Sequence, residues 1–232
     1  MARLSRVVVP GVAHYVLLRG LAGTRVFLDE SDRQAFLKAL QGAVEGRAVQ
    51  VFAYALLDHE VHLLLQPEDE TALARAVQTL GRRFVAGFNR RHGRRGTLWE
   101  GRYRTAIVEP GAFTLQALVG IDALGSEAAG PLSSSAPART GGRRELVLRD
   151  PPEYWALGNT PFDREGAYRD RLEQPLAAAT RQALAAALRS GWVFGSPDFT
   201  RQMAQALQRP AFPRPRGRPR RRVDPAPTSA EG

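Results

Sequence analysis

The 232-residue chain contains no cysteine. That excludes disulfides, thiolate metal sites and cysteine nucleophiles. Lysine is almost missing as well: Lys38 is the single lysine among 33 basic residues. No apolar run approaches the roughly 20 residues of a membrane-spanning helix. Met1 to Val9 lacks the apolar stretch closing on small residues that a secretory leader carries. No membrane partner is expected, and the expected compartment is the cytoplasm, in association with the nucleoid.

What is present is arginine. The formal net charge is +10 and the sequence pI about 11.1. A guanidinium forks onto phosphates and guanine edges and stacks on bases, so an arginine-dominated excess fits a nucleic-acid partner. A GC-rich coding sequence accounts for arginine over lysine, but not for the size of the charge. Hydrophobic residues make up 44% of the chain, enough for a real core.

Hydrophobic spacing orders the elements. Val12 to Leu18 reads as a strand ending at Arg19-Gly20. Ser31 and Gln34 have the spacing of a capping box, with Phe36, Leu37, Leu40 and Val44 following at helical intervals. Val49 to Leu57 and Val61 to Leu65 read as a strand pair separated by Asp58 to Glu60. Leu73, Val77, Leu80, Phe84 and Phe88 form the stripe of a second helix that should stop near Gly93. Thr97 to Val108 reads as a strand, and Pro110-Gly111 opens a third helix at about Ala112. The expected class is α+β: a ferredoxin-like split βαβ antiparallel sheet with helices on one face, the other face open to ligand. This domain should span residues 1–128. Residues 129–150, rich in serine, proline and glycine, read as a linker. Residues 151–208 regain helical pattern as an extension, with Leu184 and Leu188 on one helix. Ser196-Pro197 reads as the start of another. Residues 209–232 form a basic, proline-rich tail expected to be disordered.

Several segments together resemble a known family. Arg19-Gly20 with Val26-Phe27-Leu28, Tyr54-Ala55-Leu56-Leu57, Val61-His62-Leu63-Leu64-Leu65, Phe88-Asn89-Arg90-Arg91-His92-Gly93 and Leu98-Trp99-Glu100-Gly101-Arg102-Tyr103 are similar to the REP-associated tyrosine transposases. These belong to the HUH nucleases and are relatives of the single-tyrosine insertion-sequence transposases. The resemblance covers roughly the first 120 residues. Trp155-Ala156-Leu157-Gly158 and the terminal Arg-Gly-Arg-Pro resemble the long members of the group. The resemblance implies DNA as partner, single-stranded and folded into a hairpin, and a homodimer. It also implies a magnesium or manganese ion held by two histidines on one strand face, which polarises the scissile phosphate. A tyrosine on the third helix would form a transient phosphotyrosine link.

Two positions depart from the family pattern. The His-x-His of the family falls on Glu60-Val61-His62, so the candidate metal ligands are Glu60 and His62. A carboxylate and an imidazole can both bind such an ion. His59 would join them only through a strand bulge. His59-Glu60-Val61-His62 is not the zinc-protease helix motif, which needs histidines four apart; position 63 is Leu63. The tyrosine position falls on Gly120, within Leu118-Val119-Gly120-Ile121-Asp122, and glycine cannot attack phosphorus. No catalytic residue is therefore assigned.

Binding is what remains. Arg82, Arg83, Arg90, Arg91, Arg94 and Arg95 crowd the end of the second helix and lead into Trp99, Arg102 and Tyr103. Aromatics there could stack bases while arginines grip phosphates. Arg19 completes this surface. In the tail, Pro215-Arg216-Gly217-Arg218-Pro219 resembles an AT-hook core, in which Arg216 and Arg218 would lie in a narrow minor groove. The expected function is DNA binding by a transposase-like protein without strand transfer. The alternatives are an active metal-dependent transposase with a relocated tyrosine, an RNA-binding module on the same fold plan, and a decayed reading frame.

Overall fold

A computed structural model describes residues 7–46, 48–128, 130–174 and 176–208. The chain runs β1 (His14–Arg19), α1 (Glu30–Val44), β2 (Val49–Leu56), β3 (Glu60–Pro67), α2 (Ala72–Arg91), β4 (Arg104–Val108) and α3 (Ala112–Ser126). It continues with a 3-10 turn (Ala136–Arg139), α4 (Pro152–Trp155), α5 (Pro161–Glu173), α6 (Ala178–Ser190), β5 (Val193–Phe194) and α7 (Pro197–Ala206). The first six elements keep the split βαβ order, and the class is α+β as read. The sheet order is β2-β3-β1-β4-β5. Pairing is antiparallel throughout, except that β5 joins β4 in parallel. No described helix is long and apolar enough to cross a membrane.

Alternation along each strand divides the apolar residues between two layers. Val16, Leu18, Tyr54, Leu56, Leu63 and Leu65 face one way, against Phe36, Leu37 and Leu40 of α1 and Leu73, Val77, Leu80, Phe84 and Phe88 of α2. Here α1 and α2 share one face, as their stripes require. Tyr15, Leu17, Ala53, Ala55 and Leu64 face the other way, and this face is not open. Leu118 and Ile121 of α3 cover it, with Tyr154, Tyr168, Leu184 and Leu188 of the extension beside them. The expectation of a free ligand-binding sheet face is therefore corrected: the extension brings enough apolar surface to bury it.

Three local readings also shift. The cap of α1 lies two residues before the expected one. Asp29 is the N-cap and accepts from the Asp32 backbone N–H, while Asp32 accepts in return from Leu28 N–H. An ionised aspartate satisfies the free amides better than Ser31 could. The strand expected over Thr97 to Val108 survives only as β4. Gly101, at φ +135°, breaks it. Residues 98–100 instead cross the end of β1 through Leu21 N–H to Leu98 O and Glu100 N–H to Arg19 O, both 2.9 Å. The β2–β3 bulge lies between Val51 and Ala53, not beside His59.

The 130–150 segment, read as a linker, is packed along the exposed edge of β2. Leu56 N–H donates to Ser133 O at 2.8 Å, Ser135 N–H to Tyr54 O at 3.1 Å and Arg149 N–H to Val51 O at 2.8 Å. At the other edge, Ile107 N–H donates to Trp192 O and Glu109 N–H to Phe194 O. The outer sides of β2 and β4, whose backbone groups would otherwise lack partners, are thus covered by sequence beyond residue 129. Gly125 is where α3 meets this strap: a Cβ there would lie 2.5 Å from Ser133 O.

The strap is anchored by a buried polar cluster. Arg139 and Asp122 are both fully buried. Arg139 pairs with Asp122 at 3.3 Å and Asp150 at 3.2 Å and donates to Phe52 O. Ser135 and Tyr168 donate to the Asp122 carboxylate. Burial pushes the Asp122 carboxyl upward, and the adjacent Arg139 opposes that. α7 starts as read: Ser196 caps it, accepting from Phe199 N–H, with Pro197 in its first turn.

Candidate nucleic-acid interface

The strand register places Leu17 opposite His62 and Arg19 opposite Glu60. Side chains two apart share a face, so Tyr15, His62, Glu60 and Arg19 form one row. Tyr15 Oη lies 2.8 Å from His62 Nδ1. His62 Nε2 lies 3.0 Å from Glu60 Oε1. Arg19 Nε and Nη2 donate to Glu60 Oε2 at 3.2 and 3.1 Å. One tautomer satisfies every contact: the Tyr15 hydroxyl donates to Nδ1, and Nε2–H donates to the carboxylate. The His62 hydrogen bond, helped by Arg19, holds the Glu60 carboxyl down to about 2 against the opposing effect of burial. Burial pushes the Tyr15 hydroxyl well above its ordinary range.

This row does not fit a divalent ion as it stands. Glu60 and His62 supply two donors, and they are bonded to each other. The second carboxylate oxygen lies under the Arg19 guanidinium, and the remaining imidazole nitrogen faces Tyr15. His59 does not join them; its Nδ1 donates to Thr24 O at 3.1 Å. No group of three His, Asp or Glu side chains able to hold a metal occurs among the described residues. Gly120 is filled from outside: a Cβ there would lie 2.7 Å from Leu176 Cδ1 of the α5–α6 connection. A tyrosine at 120 would have to displace that leucine.

The basic residues separate into two kinds. Arg19 is committed to Glu60. Arg91 is committed to α1, pairing with Asp29 at 2.6 Å and Asp32 at 2.5 Å, where His92 also meets Asp32 at 2.9 Å. The other six, Arg82, Arg83, Arg90, Arg94, Arg95 and Arg102, are in no ion pair among the described residues. All are exposed except Arg94, which is half-buried with its guanidinium 5.7 Å over the Phe88 ring. α2 carries three of the six off its apolar stripe. Gly93, at φ +61°, ends the helical run, and Asn89 Nδ2 donates to Gly96 O at 2.8 Å to hold the following loop.

Six of the sequence-chosen residues line two grooves, while Arg19, Arg82, Arg94 and Arg95 line neither. Arg83, Arg90 and Arg91 line one of about 310 Å³ between α1 and α2, with Asp32 also lining it. Trp99, Arg102 and Tyr103 line another of about 470 Å³ beside the first half of α2. Trp99 is not a free platform. It is 9% exposed, packed in the α1–α2 core and 6.2 Å from the Phe84 ring. Tyr103 is half-buried. Arg216 and Arg218 lie outside the described residues. Sequence reasoning missed Tyr15, whose tie to His62 depends on strand register, and Gln78 and Gly81, which line the second groove.

No protein-family model matches the chain, and no curated protein matches it. Among solved structures, it is similar in fold to a REP-associated tyrosine transposase bound to a REP hairpin. That likeness has 14% identity and a TM-score of 0.44, covering 52% of this chain and 70% of the other. It is also similar to a protein of Deinococcus radiodurans R1 whose designation as a transposase is provisional. There the identity is 18% and the TM-score 0.36, with 47% of this chain and 88% of the other covered.

Proposed function

We propose that this chain is a transposase-like DNA-binding protein that takes hairpin-bearing single strands on the basic end of α2 and the loop after it, without strand-transfer chemistry. The observation that carries the reading is a cluster of five arginines, Arg82, Arg83, Arg90, Arg94 and Arg95, that make no ion pair among the described residues along the second half of α2 and the loop after it. By contrast Arg19, Arg25, Arg33, Arg75, Arg91 and Arg139 are each neutralised by an acidic side chain, and the remaining arginines without an ion pair among the described residues, such as Arg149, Arg171 and Arg189, are spread singly along the chain. Unpaired guanidinium groups held together repel one another and gain most from a polyanion. The loss of chemistry is supported by Gly120, and by Arg19 acting as the resident cation of the Glu60–His62 row.

Binding of a labelled DNA hairpin across a salt series tests this. Neutralising about six phosphates on a single strand predicts a slope of about −4 in log K against log salt. Affinity indifferent to salt would falsify the reading. Competition with the matched RNA hairpin separates DNA from RNA recognition.

One observation favours a second reading. Tyr15 is a tyrosine within hydrogen-bond reach of His62, which is what a relocated nucleophile needs. Against it, Tyr15 is 1% exposed, and phosphorus could reach its oxygen only if the α3 face opened. A denaturing gel of protein with labelled hairpin and manganese decides between them. A surviving labelled band that vanishes in Tyr15→Phe supports the second reading; no band supports the first.

A further inference from the structure

The groove beside the first half of α2 has features that phosphate binding does not require. Its lining includes Gln78 and Gly81 of α2, and Trp99, Gly101, Arg102 and Tyr103 of the loop before β4. Its volume of about 470 Å³ is in the range of pockets that hold small planar ligands. The indole Nε1–H of Trp99 is buried and has no partner among the described residues. It lies 3.8 Å from the point where a side chain at Gly81 would begin, so any larger residue at 81 would fill the space beside that donor. A buried donor without an acceptor carries a desolvation penalty that a ligand acceptor would relieve. Around the mouth, Arg102 and Gln78 are exposed. Arg82 stands one helical turn beyond Gln78, on the same face.

We infer that this groove receives one unpaired nucleobase of the bound DNA strand. The base ring enters between α2 and the Trp99–Tyr103 loop, and a ring nitrogen or carbonyl oxygen accepts from Trp99 Nε1–H. Gln78 offers both a donor and an acceptor to the base edge. Arg102 and Arg82 hold the flanking phosphates. The charge around the mouth selects a nucleotide within a polyanionic strand over a neutral aromatic molecule. Paired bases cannot reach the groove, since their edges are engaged by the partner base and their faces by the stack; a bulged or looped-out nucleotide can. The inference rests on the DNA-binding reading and adds to it a site for the unpaired position.

The test uses the full chain and two hairpins of equal length and charge, one fully paired in its stem and one with a single unpaired nucleotide. 2-Aminopurine at the unpaired position reports its surroundings. Wild type should prefer the unpaired hairpin by about tenfold, the low end of what contact between a base and an aromatic pocket provides, with a change in 2-aminopurine emission on binding. Gly81→Leu, which fills the groove from the helix, should abolish both the preference and the emission change. It should leave affinity for the fully paired hairpin within about twofold. Trp99→Phe keeps an aromatic side chain, though a smaller one, and removes the donor, and should lower the preference. Thermal melts establish that each variant is folded. If both folded variants keep the full preference, or wild type shows none, the groove is not a base site and the arginine surface alone binds DNA. If wild type retains neither hairpin, the DNA-binding reading falls and this inference falls with it.

Discussion

Arg139 and Arg95 are the same side chain in opposite circumstances. Arg139 has no exposed surface, with two carboxylates, a backbone carbonyl and the rings of Tyr154 and Tyr168 around it. Arg95, on the loop after α2, is exposed and is in no ion pair among the described residues. In the first, the charge has been taken out of water, and its surroundings are built to hold it. In the second, the charge is left in water, where it stabilises little and is available to a partner. An arginine count therefore says nothing about function until each guanidinium has been matched to what it touches.

The largest effect should come from breaking the buried member. Arg139→Ala leaves Asp122 and Asp150 without their counterion and should cost about 3–5 kcal/mol, read from denaturant unfolding. A loss below about 1 kcal/mol would mean that water enters the strap and that the two arginines differ less than their burial implies. On the exposed side, Arg82, Arg90 and Arg95 replaced together by glutamine should flatten the salt dependence of hairpin binding by about two units. Stability should move by no more than about 0.5 kcal/mol per site. If unfolding shifts while the salt slope stays put, the ridge is structural after all.

Gly125→Ala probes the strap without touching charge. The new methyl would meet the backbone of Ser133 and Ser134, with an expected loss of about 1–3 kcal/mol. Hydrogen exchange should rise along β2, whose outer edge the strap covers. The smallest effect belongs to the Arg19–Glu60–His62 row, which lies between the two extremes. The Glu60 carboxyl is lowered from 4.5 to about 2. A depressed carboxyl contributes stability above its unfolded value and loses it as pH falls through the folded one. Glu60→Gln should therefore cost up to about 1 kcal/mol at pH 7. The difference from wild type should shrink below about pH 4.5 and vanish near pH 2. A difference that grows on acidification would contradict this assignment.

Legibility followed the range of the interactions. The α2 stripe, the hairpin of β2 and β3 and the Ser196 cap depend on neighbours within a few residues, and each stands where periodicity put it. The strap was not legible, because a run of serine, proline and glycine looks the same whether it is solvated or pinned to a sheet edge. What pins it is the distant backbone of Tyr54, Leu56 and Val51 and a salt bridge between residues 122 and 139. Trp99 was chosen for its chemistry, yet its ring went to the core and only its N–H remains for a ligand. Glu60 and His62 were seen as a pair, while the neighbours that occupy them, Arg19 and Tyr15, were hidden in the strand register.

By itself the sequence determined the order of the first six elements, the absence of cysteine chemistry, the basic charge and its concentration near the end of α2. These follow from local spacing and composition, which act before any distant contact forms. Only the tertiary structure decided which arginines are neutralised, that the outer sides of β2 and β4 and the second sheet face are covered, that the Glu60–His62 row is closed by Arg19 and Tyr15, and that a groove opens beside Gly81. Each of these depends on groups far apart in the chain meeting within a few ångströms, and burial then sets whether a charge is a structural pin or a free hand.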